Sequence, residues 1–362
     1  MALGLQCNNA DVDVIRFWGD RYSNVNDTTV KCSEYLFRKP AENELLKFIE
    51  FTCQILYIPF FVIYLKIFSR TRILILFGLE QAYFVLPVNI LCKIFGIKCY
   101  RIIAEIFPEN DIAPYWWRKP MIFFYKIQLK YFDKYLNGII VLSKYLKDFC
   151  LNNGVKKNRL ILIPNFINLK LKSSHRKGNA IFKIGYCGIP SFENGIIDLL
   201  NAYTILQKRI PYSELIIIGK IPPKVDEKIE QLKLDTSKII FTGLLTKSEV
   251  ENEYSKCSVL VNPRKTGILA DSGFPSKLGE YFSTGKPVVS TKVGDLRYYF
   301  TDRNELKFSE PDNPESLAES ILFLYQNAEI AEEIGINGYK WAHANLDAVK
   351  NSRKLVDFFS ET

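Results

Sequence analysis

The sequence predicts an α/β protein with two domains, each built around a parallel sheet. Three observations support this. The chain has 362 residues, more than one hydrophobic core usually holds. Short apolar runs of the kind found in buried parallel strands alternate with helical patterns in both halves. A polar, basic stretch at 169–179 separates the halves and is typical of an interdomain linker.

Apolar runs and turn signals predict the elements of the first half in order. The opening residues 2–7 predict a helix, and 12–15 a short strand. The uncharged run at 51–65 is too short to span a bilayer and contains Pro59, so it predicts a buried or interfacial helix. Further strands are predicted at 72–78, 98–103, 138–143 and 160–165, with a helix ending at Cys150.

The stretch from Tyr115 to Tyr135 alternates bulky aromatic residues with cations. This pattern predicts an amphipathic helix that covers the sheet with one face. Two interpretations of the other face stay open: it meets lipid headgroups, or its lysines are simply solvated.

A second series of strands and helices follows the linker. Strands are predicted at 182–186, 214–218, 239–241, 257–261 and 288–291, and helices at 196–209 and 225–234. Thr246 and Glu249 form a capping-box signature that opens another helix. The alternation predicts parallel strands joined by right-handed crossovers.

Composition narrows the class of partner. The formal charge of +9 favours polyanionic partners or an anionic membrane surface. The chain carries no nucleic-acid-binding signature, so we expect no nucleic-acid partner. It has eight cysteines without a Cys-x-x-Cys pair and two histidines, so we expect no metal site and an intracellular location. No signal-peptide pattern opens the chain.

The segment from Phe274 to Tyr281, followed by Gly285 to Ser290, predicts a turn, a short helix and a buried strand. Lys277 and Glu280 lie about one helical turn apart on one face. Such a pair on its own is usually an ordinary surface ion pair. The same groups also suit a phosphorylated sugar carrier: helix-start N–H groups attract phosphate, an ammonium neutralises a diphosphate, and a carboxylate accepts bonds from ribose hydroxyls.

This segment resembles the nucleotide-sugar site of retaining glycosyltransferases of family four, within the glycosyl transferases group 1. Other strand ends match the same family in order: Leu142-Ser143, Ile163-Pro164-Asn165, Gly185 to Gly188, Ile216 to Gly219 and Phe241 to Gly243. The resemblance implies the GT-B architecture, with two Rossmann-like domains whose parallel sheets face a central cleft.

The resemblance also implies the domain roles. Residues 1–170 would form the acceptor-side domain and 171–342 the nucleotide-sugar domain, with a C-terminal helix at 343–362 returning to the first domain. No cofactor is implied, because the nucleotide-sugar donor is itself a substrate.

The resemblance further assigns residues to the donor. Glu280 is expected to hold the ribose hydroxyls, and Ser276, Lys277 and Leu278 to face the phosphates. Lys277 would also stabilise charge on the leaving diphosphate. Gly188 would let the backbone approach the diphosphate closely.

Two further residues each have two open interpretations. Arg264 follows a strand end, where it adds positive charge near the phosphates or is a solvated loop arginine. Glu105, after a first-domain strand, either orients the acceptor or is an exposed loop glutamate.

The chain departs from the family pattern in several places. Eight positions before Glu280, where the family has a second acid, stands Ser272, beside Asp271. A serine can bond a sugar hydroxyl, but without charge assistance. Ile189 and Asn194 occupy the places of a basic pair. The start lacks the expected strand and glycine-rich loop, which predicts a truncated or misassigned start, and a polypeptide without that loop would be inactive.

The residues and the resemblance together predict a glycosyltransferase. It would transfer a sugar from a UDP- or GDP-sugar, with retention of configuration, to a lipid-linked or polysaccharide acceptor in bacterial surface-polysaccharide synthesis. The predicted location is the cytoplasm, peripheral to the inner face of the membrane. Two alternatives remain: a nucleotide-sugar 2-epimerase on the same fold, and a non-catalytic nucleotide-binding relative.

Overall fold

The computed structural model describes residues 1–11, 14–15, 32–33, 57, 59–77, 85–106, 119–167, 181–231 and 236–362. These residues form two compact units, Met1–Phe166 with Ala348–Thr362, and Ile167–Asp347. The C-terminal segment of the first unit begins at Ala348 rather than at 343, because the helix Ala328–Asn345 belongs to the second unit. There its Trp341 packs against Phe282. The predicted linker at 169–179 lies outside the described residues.

The described part of the first unit contains a parallel sheet with the strand order β3-β4-β5-β6. These strands are Ile73–Phe77, Lys98–Ile103, Gly138–Val141 and Leu160–Leu162. Two short strands, β1 (Val14–Ile15) and β2 (Cys32–Ser33), pair in parallel with each other. Helices are present at Ala2–Cys7, 59–67, Val85–Ile94, Lys119–Ile127, Lys144–Asn152 and Ala348–Glu361.

Alternate residues of the β strands face two separate cores, as the two-residue period of a strand requires. On one side Ile139 packs with residues of the helices 59–67, Val85–Ile94 and Lys144–Asn152. On the other side Ile140 packs with the helices Ala2–Cys7 and Ala348–Glu361. The C-terminal helix therefore completes the core of the first unit.

The aromatic and basic stretch was predicted to form one regular amphipathic helix up to Tyr135, but the end of the stretch is not α-helical. The α-helix Lys119–Ile127 gives way to a π-helical turn at Gln128–Phe132 and a 3-10 turn at Asp133–Tyr135. At this point the chain forms a buried ion pair, in which Arg101 Nη1 donates to both carboxylate oxygens of Asp133 at 2.8 and 2.6 Å. Gln128 Nε2 donates to the same carboxylate at 2.7 Å. Residues 115–118 lie outside the described part of the chain.

Within the described residues of the second unit, six parallel strands have the order β12-β11-β10-β7-β8-β9. The strands from β7 to β12 are Phe182–Cys187, Ser213–Ile218, Ile239–Gly243, Val259–Asn262, Val288–Thr291 and Lys307–Ser309. The edge strand β12 is not among the predicted strands, because three residues are too few to show an apolar pattern. The chain reverses its direction across the sheet between the neighbours β7 and β10. Ligands of such sheets bind outside the carboxyl ends of the strands at this switch point.

Helices cover both faces of the second sheet. They are Ile196–Arg209, Pro223–Gln231, Lys247–Lys256, Ile268–Ser272, Ser276–Ser283, Leu296–Tyr299, Pro314–Gln326 and Ala328–Asn345. The predicted capping box is present, since Thr246 accepts from the Glu249 N–H and the Glu249 carboxylate accepts from the Thr246 N–H. The predicted two-domain parallel α/β architecture is confirmed.

Candidate functional site

The turn after β7 occupies one side of the switch point. Gly188 has φ +153°, a region that favours glycine, and its N–H donates to the carbonyl of Ile218 at 3.0 Å. The carbonyl of Ile189 accepts bonds from the Tyr186 hydroxyl at 2.8 Å and from Asn194 Nδ2 at 3.0 Å. These bonds hold the turn in one conformation at the carboxyl end of β7.

Gly219, at the end of β8, lets the neighbouring strand end approach this turn. A Cβ atom at position 219 would lie 2.0 Å from the carbonyl oxygen of Gly188. Gly219 also has φ +147° and donates its N–H to Gly243 at 3.0 Å. The two turns pack backbone against backbone, so only glycine fits at position 219.

The helix Ser276–Ser283 begins opposite the turn, with Pro275 as its N-cap. Proline has no side-chain cap to offer, and the first N–H groups of a helix lack intrahelical acceptors. Leu278 is fully buried, so its side chain belongs to the core and only its backbone can face a ligand. Ser276 is exposed.

Tyr281 ties this helix to the end of β7. Its hydroxyl accepts a hydrogen bond from the Cys187 N–H at 2.8 Å and donates one to the Cys187 carbonyl at 3.2 Å. Tyr281 is fully buried, and burial raises its pKa well above the usual tyrosine range, so the hydroxyl keeps its proton. The residue before Gly188 is therefore bonded directly to the helix that carries Lys277 and Glu280.

Lys277 and Glu280 form the predicted pair. The Lys277 ammonium donates to Glu280 Oε1 at 3.1 Å and to Oε2 at 2.9 Å, with both side chains partly exposed. Tyr254 donates its hydroxyl to Glu280 Oε2 at 3.1 Å. The carboxylate is thus oriented from two sides.

The charges of this cluster favour the protonated forms of lysine and tyrosine. Burial lowers the pKa of Lys277, but Glu280 and Cys187 raise it by more, so the pKa lies above the ordinary lysine value. Burial, with the charges of Tyr281 and Glu280, raises the pKa of Tyr254 far above its usual range. The site therefore presents a permanent cation beside a hydrogen-bonded carboxylate at neutral pH.

Arg264 lies after β10, on the other side of the switch point. It is 7% exposed, so the interpretation as a solvated loop arginine is wrong. Its carbonyl accepts a bond from the Thr291 hydroxyl, and its guanidinium lowers the pKa of Tyr186 against the larger effect of burial. The neighbouring Lys265 is paired with Asp198 and Asp312 at 3.2 and 2.8 Å, so its charge is already balanced.

Ser272, at the position of the family's second acid, is fully buried. Its hydroxyl donates to the carbonyl of Ile268 at 2.6 Å, one turn back in the same helix. Asp271 is exposed beside it. A bond from the Ser272 hydroxyl to a donor sugar remains a prediction, and this geometry does not favour it.

Glu105 lies in the first unit, two residues beyond the end of β4, and is half-buried. Its carbonyl accepts a bond from the Tyr125 hydroxyl at 3.2 Å. The backbone of Glu105 is thus fixed by Tyr125, and its role toward an acceptor stays a prediction.

The structure brings Gly188, Arg264, Lys277 and Glu280 to the switch-point end of the second sheet. Sequence reasoning missed Tyr254 and gave no role to Tyr281. A tyrosine directly after Glu280 is a weak signal, whereas nothing in the sequence around Tyr254 points to the site. Among the described residues, no group of three or more His, Cys, Asp or Glu side chains is placed to hold a metal ion.

Solved structures of other proteins have the same fold as this chain. HepE of Anabaena, solved in complex with UDP-glucose, aligns with a TM-score of 0.74 at 13% identity over 100% of this chain and 95% of its own. A glycosyltransferase from Rickettsia africae aligns with a TM-score of 0.73 at 14% identity over 99% and 93% of the two chains. The fold is the GT-B fold of glycosyltransferases.

Sequence comparison finds relatives of the second unit. Residues 181–327 match the family model Glycosyl transferases group 1. An uncharacterized glycosyltransferase of Methanocaldococcus jannaschii is 30% identical over 242 residues, 64% of this chain. The match spans 64% of the length of that relative.

Proposed function

We propose that this protein transfers a sugar from a UDP- or GDP-sugar to an acceptor hydroxyl with retention of configuration. The observation that carries the proposal is the Lys277–Glu280 pair at the switch point. Tyr254, on a neighbouring helix, orients Glu280, and Tyr281 bonds the helix of the pair to the glycine turn after β7. The match of residues 181–327 to the family model Glycosyl transferases group 1 supports the proposal.

Each group has a role in this reaction. Glu280, held by Tyr254, accepts the two ribose hydroxyls. Ser276 and the backbone around Gly188 receive the diphosphate, while the Lys277 ammonium balances its charge. A ligand that takes over the Glu280 oxygens frees donors of Lys277 for the phosphates, since an ammonium carries three N–H groups.

The reaction breaks the bond between the sugar anomeric carbon and the diphosphate oxygen, which keeps the electron pair. The acceptor oxygen forms the new bond on the same face and passes its proton to the departing diphosphate oxygen. Charge builds up on the leaving diphosphate, so a fixed cation there lowers the barrier. Lys277 supplies it, and the buried Arg264 adds to the positive potential.

The proposed acceptor is a lipid-linked or polysaccharide hydroxyl at the inner face of a cell membrane, with Glu105 orienting it. The first unit supports a membrane location through exposed aromatic side chains among lysines, such as Phe123 and Tyr131 beside Lys130. Among the described helices, none is long and apolar enough to cross a bilayer.

The test is release of nucleotide from a panel of UDP- and GDP-sugars by the purified full-length protein, with membrane extract as acceptor. We expect one donor to be consumed and the Glu280→Ala variant to be inactive. Proton NMR of the product then reports the anomeric configuration. If the protein consumed none of the donors, the proposal would be refuted.

A second candidate is a non-catalytic nucleotide-binding protein, favoured by the buried, internally bonded hydroxyl of Ser272. Under this alternative a nucleotide diphosphate binds, and the binding depends on Lys277, but no donor sugar is released. Calorimetry and the donor panel on the same preparation separate the two functions.

A further inference from the structure

A basic pocket of about 330 Å³ lies in the first unit, away from the groups described above. Gly96 and Lys98 line it at the start of β4, and Arg159 lines it just before β6. Glu105 follows the opposite, carboxyl end of β4. The pocket therefore lies at the amino-terminal ends of these strands, whereas the candidate acceptor residue Glu105 lies at their carboxyl ends.

The described lining residues include three cations, Lys93, Lys98 and Arg159, and no acidic side chain. Lys98 donates one bond to the carbonyl of Phe359 at 3.1 Å, and Arg159 donates one to Leu136 at 3.4 Å. An ammonium has three donors and a guanidinium five, so both residues retain donors for an anion.

Among the described residues, no carboxylate forms an ion pair with Lys93, Lys98 or Arg159. Asp133, two residues from the pocket residue Tyr135, is buried and bonded to Arg101 and Gln128. The half-exposed Tyr135 ring instead attracts two cations, with the Lys93 ammonium 5.9 Å and the Lys134 ammonium 5.4 Å from its centroid.

Exposed apolar side chains lie on the two helices next to the pocket. Ile90 and Ile94 are 51% and 69% exposed and share the outer face of the helix Val85–Ile94 with Lys93. The Lys66 ammonium lies 4.0 Å from the position of a Cβ on Gly96, which brings the helix 59–67 to the rim. The end of that helix exposes Tyr64 and Phe68, stacked at 5.3 Å.

We propose that this pocket binds the phosphate headgroup of an anionic phospholipid, while Ile90 and Ile94 enter the apolar layer. Cations alone would serve a soluble phosphate, whereas exposed aliphatic and aromatic side chains beside them match the two layers of a membrane interface. The inference deepens the proposed membrane location but does not depend on sugar transfer.

The test measures binding of the full chain to phosphatidylcholine vesicles with and without phosphatidylglycerol, by flotation and without nucleotide-sugar. We expect tight binding only with phosphatidylglycerol. Lys93→Ala/Arg159→Ala should weaken it roughly thirtyfold, since each cation near an anionic surface contributes about 1 kcal/mol. The matched control Lys208→Ala/Lys228→Ala removes the same charge from exposed sites of the second unit and should retain most of the binding.

A second variant keeps the proposal testable if Arg159 is needed for folding. Ile90→Ser/Ile94→Ser changes exposed positions, so it should fold normally and weaken vesicle binding several-fold. The proposal would be refuted if the matched control lost as much vesicle binding as the pocket variant, or if the protein showed no preference for phosphatidylglycerol. Displacement by inorganic phosphate beyond that caused by sodium chloride of equal ionic strength would make the occupant a soluble anion. Donor consumption, assayed separately, decides the proposed function independently.

Discussion

The Tyr281 hydroxyl makes two hydrogen bonds with the backbone of Cys187, one to the N–H at 2.8 Å and one to the carbonyl at 3.2 Å. The two residues are 94 positions apart in the chain. Tyr281 follows Glu280 directly, and Cys187 precedes Gly188. A single buried phenol therefore sets the position of the glycine turn relative to the Lys277–Glu280 pair.

Replacing this phenol should loosen both halves of the site. Tyr281→Phe leaves a buried N–H without its bonding partner, which costs about 1–3 kcal/mol of unfolding free energy. We expect weaker nucleotide binding as well, because the turn at Gly188 loses its fixed position. Chemical denaturation and calorimetry measure the two effects. Tyr212→Phe, at a 79% exposed position, is the matched control and should change neither.

Removing Lys277 or Glu280 should affect binding and spare stability. Their ion pair is partly exposed, and such pairs contribute about 0–1 kcal/mol to folding. Hydrogen bonds to charged groups are worth about 1.5–3 kcal/mol, so Lys277→Ala and Glu280→Ala should each weaken nucleotide diphosphate binding roughly ten- to a hundredfold. Arg209→Ala, which breaks an exposed pair with Glu319 at 2.9 Å, is the control. Unchanged affinity in both site variants would refute the donor site.

Lys277 and Lys286 should titrate on opposite sides of the ordinary lysine pKa. The pKa of Lys277 is raised by Glu280 and Cys187 in excess of burial, whereas burial lowers the pKa of Lys286. The Lys277 contribution to stability is therefore complete below the ordinary pKa and lost as pH rises through the higher folded value. The Lys286 contribution has the opposite sign. Because its pKa is lower in the folded protein than in the unfolded chain, stability rises as the pH increases from the folded pKa to the unfolded pKa.

Side-chain NMR titration of the two lysines measures these values directly. Variants Lys277→Ala and Lys286→Ala assign the signals. A Lys277 signal that titrates below that of Lys286 would contradict the arrangement of charges around Glu280.

Gly219→Ala should be more harmful than Gly267→Ala. Both glycines have a positive φ, +147° and +141°, so an alanine at either position costs about 1–3 kcal/mol of backbone strain. Only the Cβ at position 219 meets backbone, 2.0 Å from the Gly188 carbonyl oxygen, whereas at 267 nothing lies within 4 Å. Thermal unfolding of both variants measures the difference, and equal losses would show that the two turns do not need their close approach.

Local pattern predicted much of the fold. The helix Ile196–Arg209 and the strand Val288–Thr291 have the predicted bounds, because strong apolar periodicity and clear turn signals mark their ends. The strand Lys307–Ser309 has too few residues for a pattern. The aromatic helix departs from its regular form at Gln128, where Asp133 pairs with Arg101 of another element, a contact that local pattern does not reveal.

The candidate site likewise has one part that the sequence predicted and another that only the tertiary structure decided. The pairing of Lys277 with Glu280 followed from the sequence, because helix geometry alone places residues three apart side by side. Tertiary structure alone decided that Tyr254 orients Glu280, that Arg264 is buried and that Tyr281 bonds Cys187. Those relationships depend on which strands become neighbours, and the strand order arises from packing of the whole unit rather than from any local pattern.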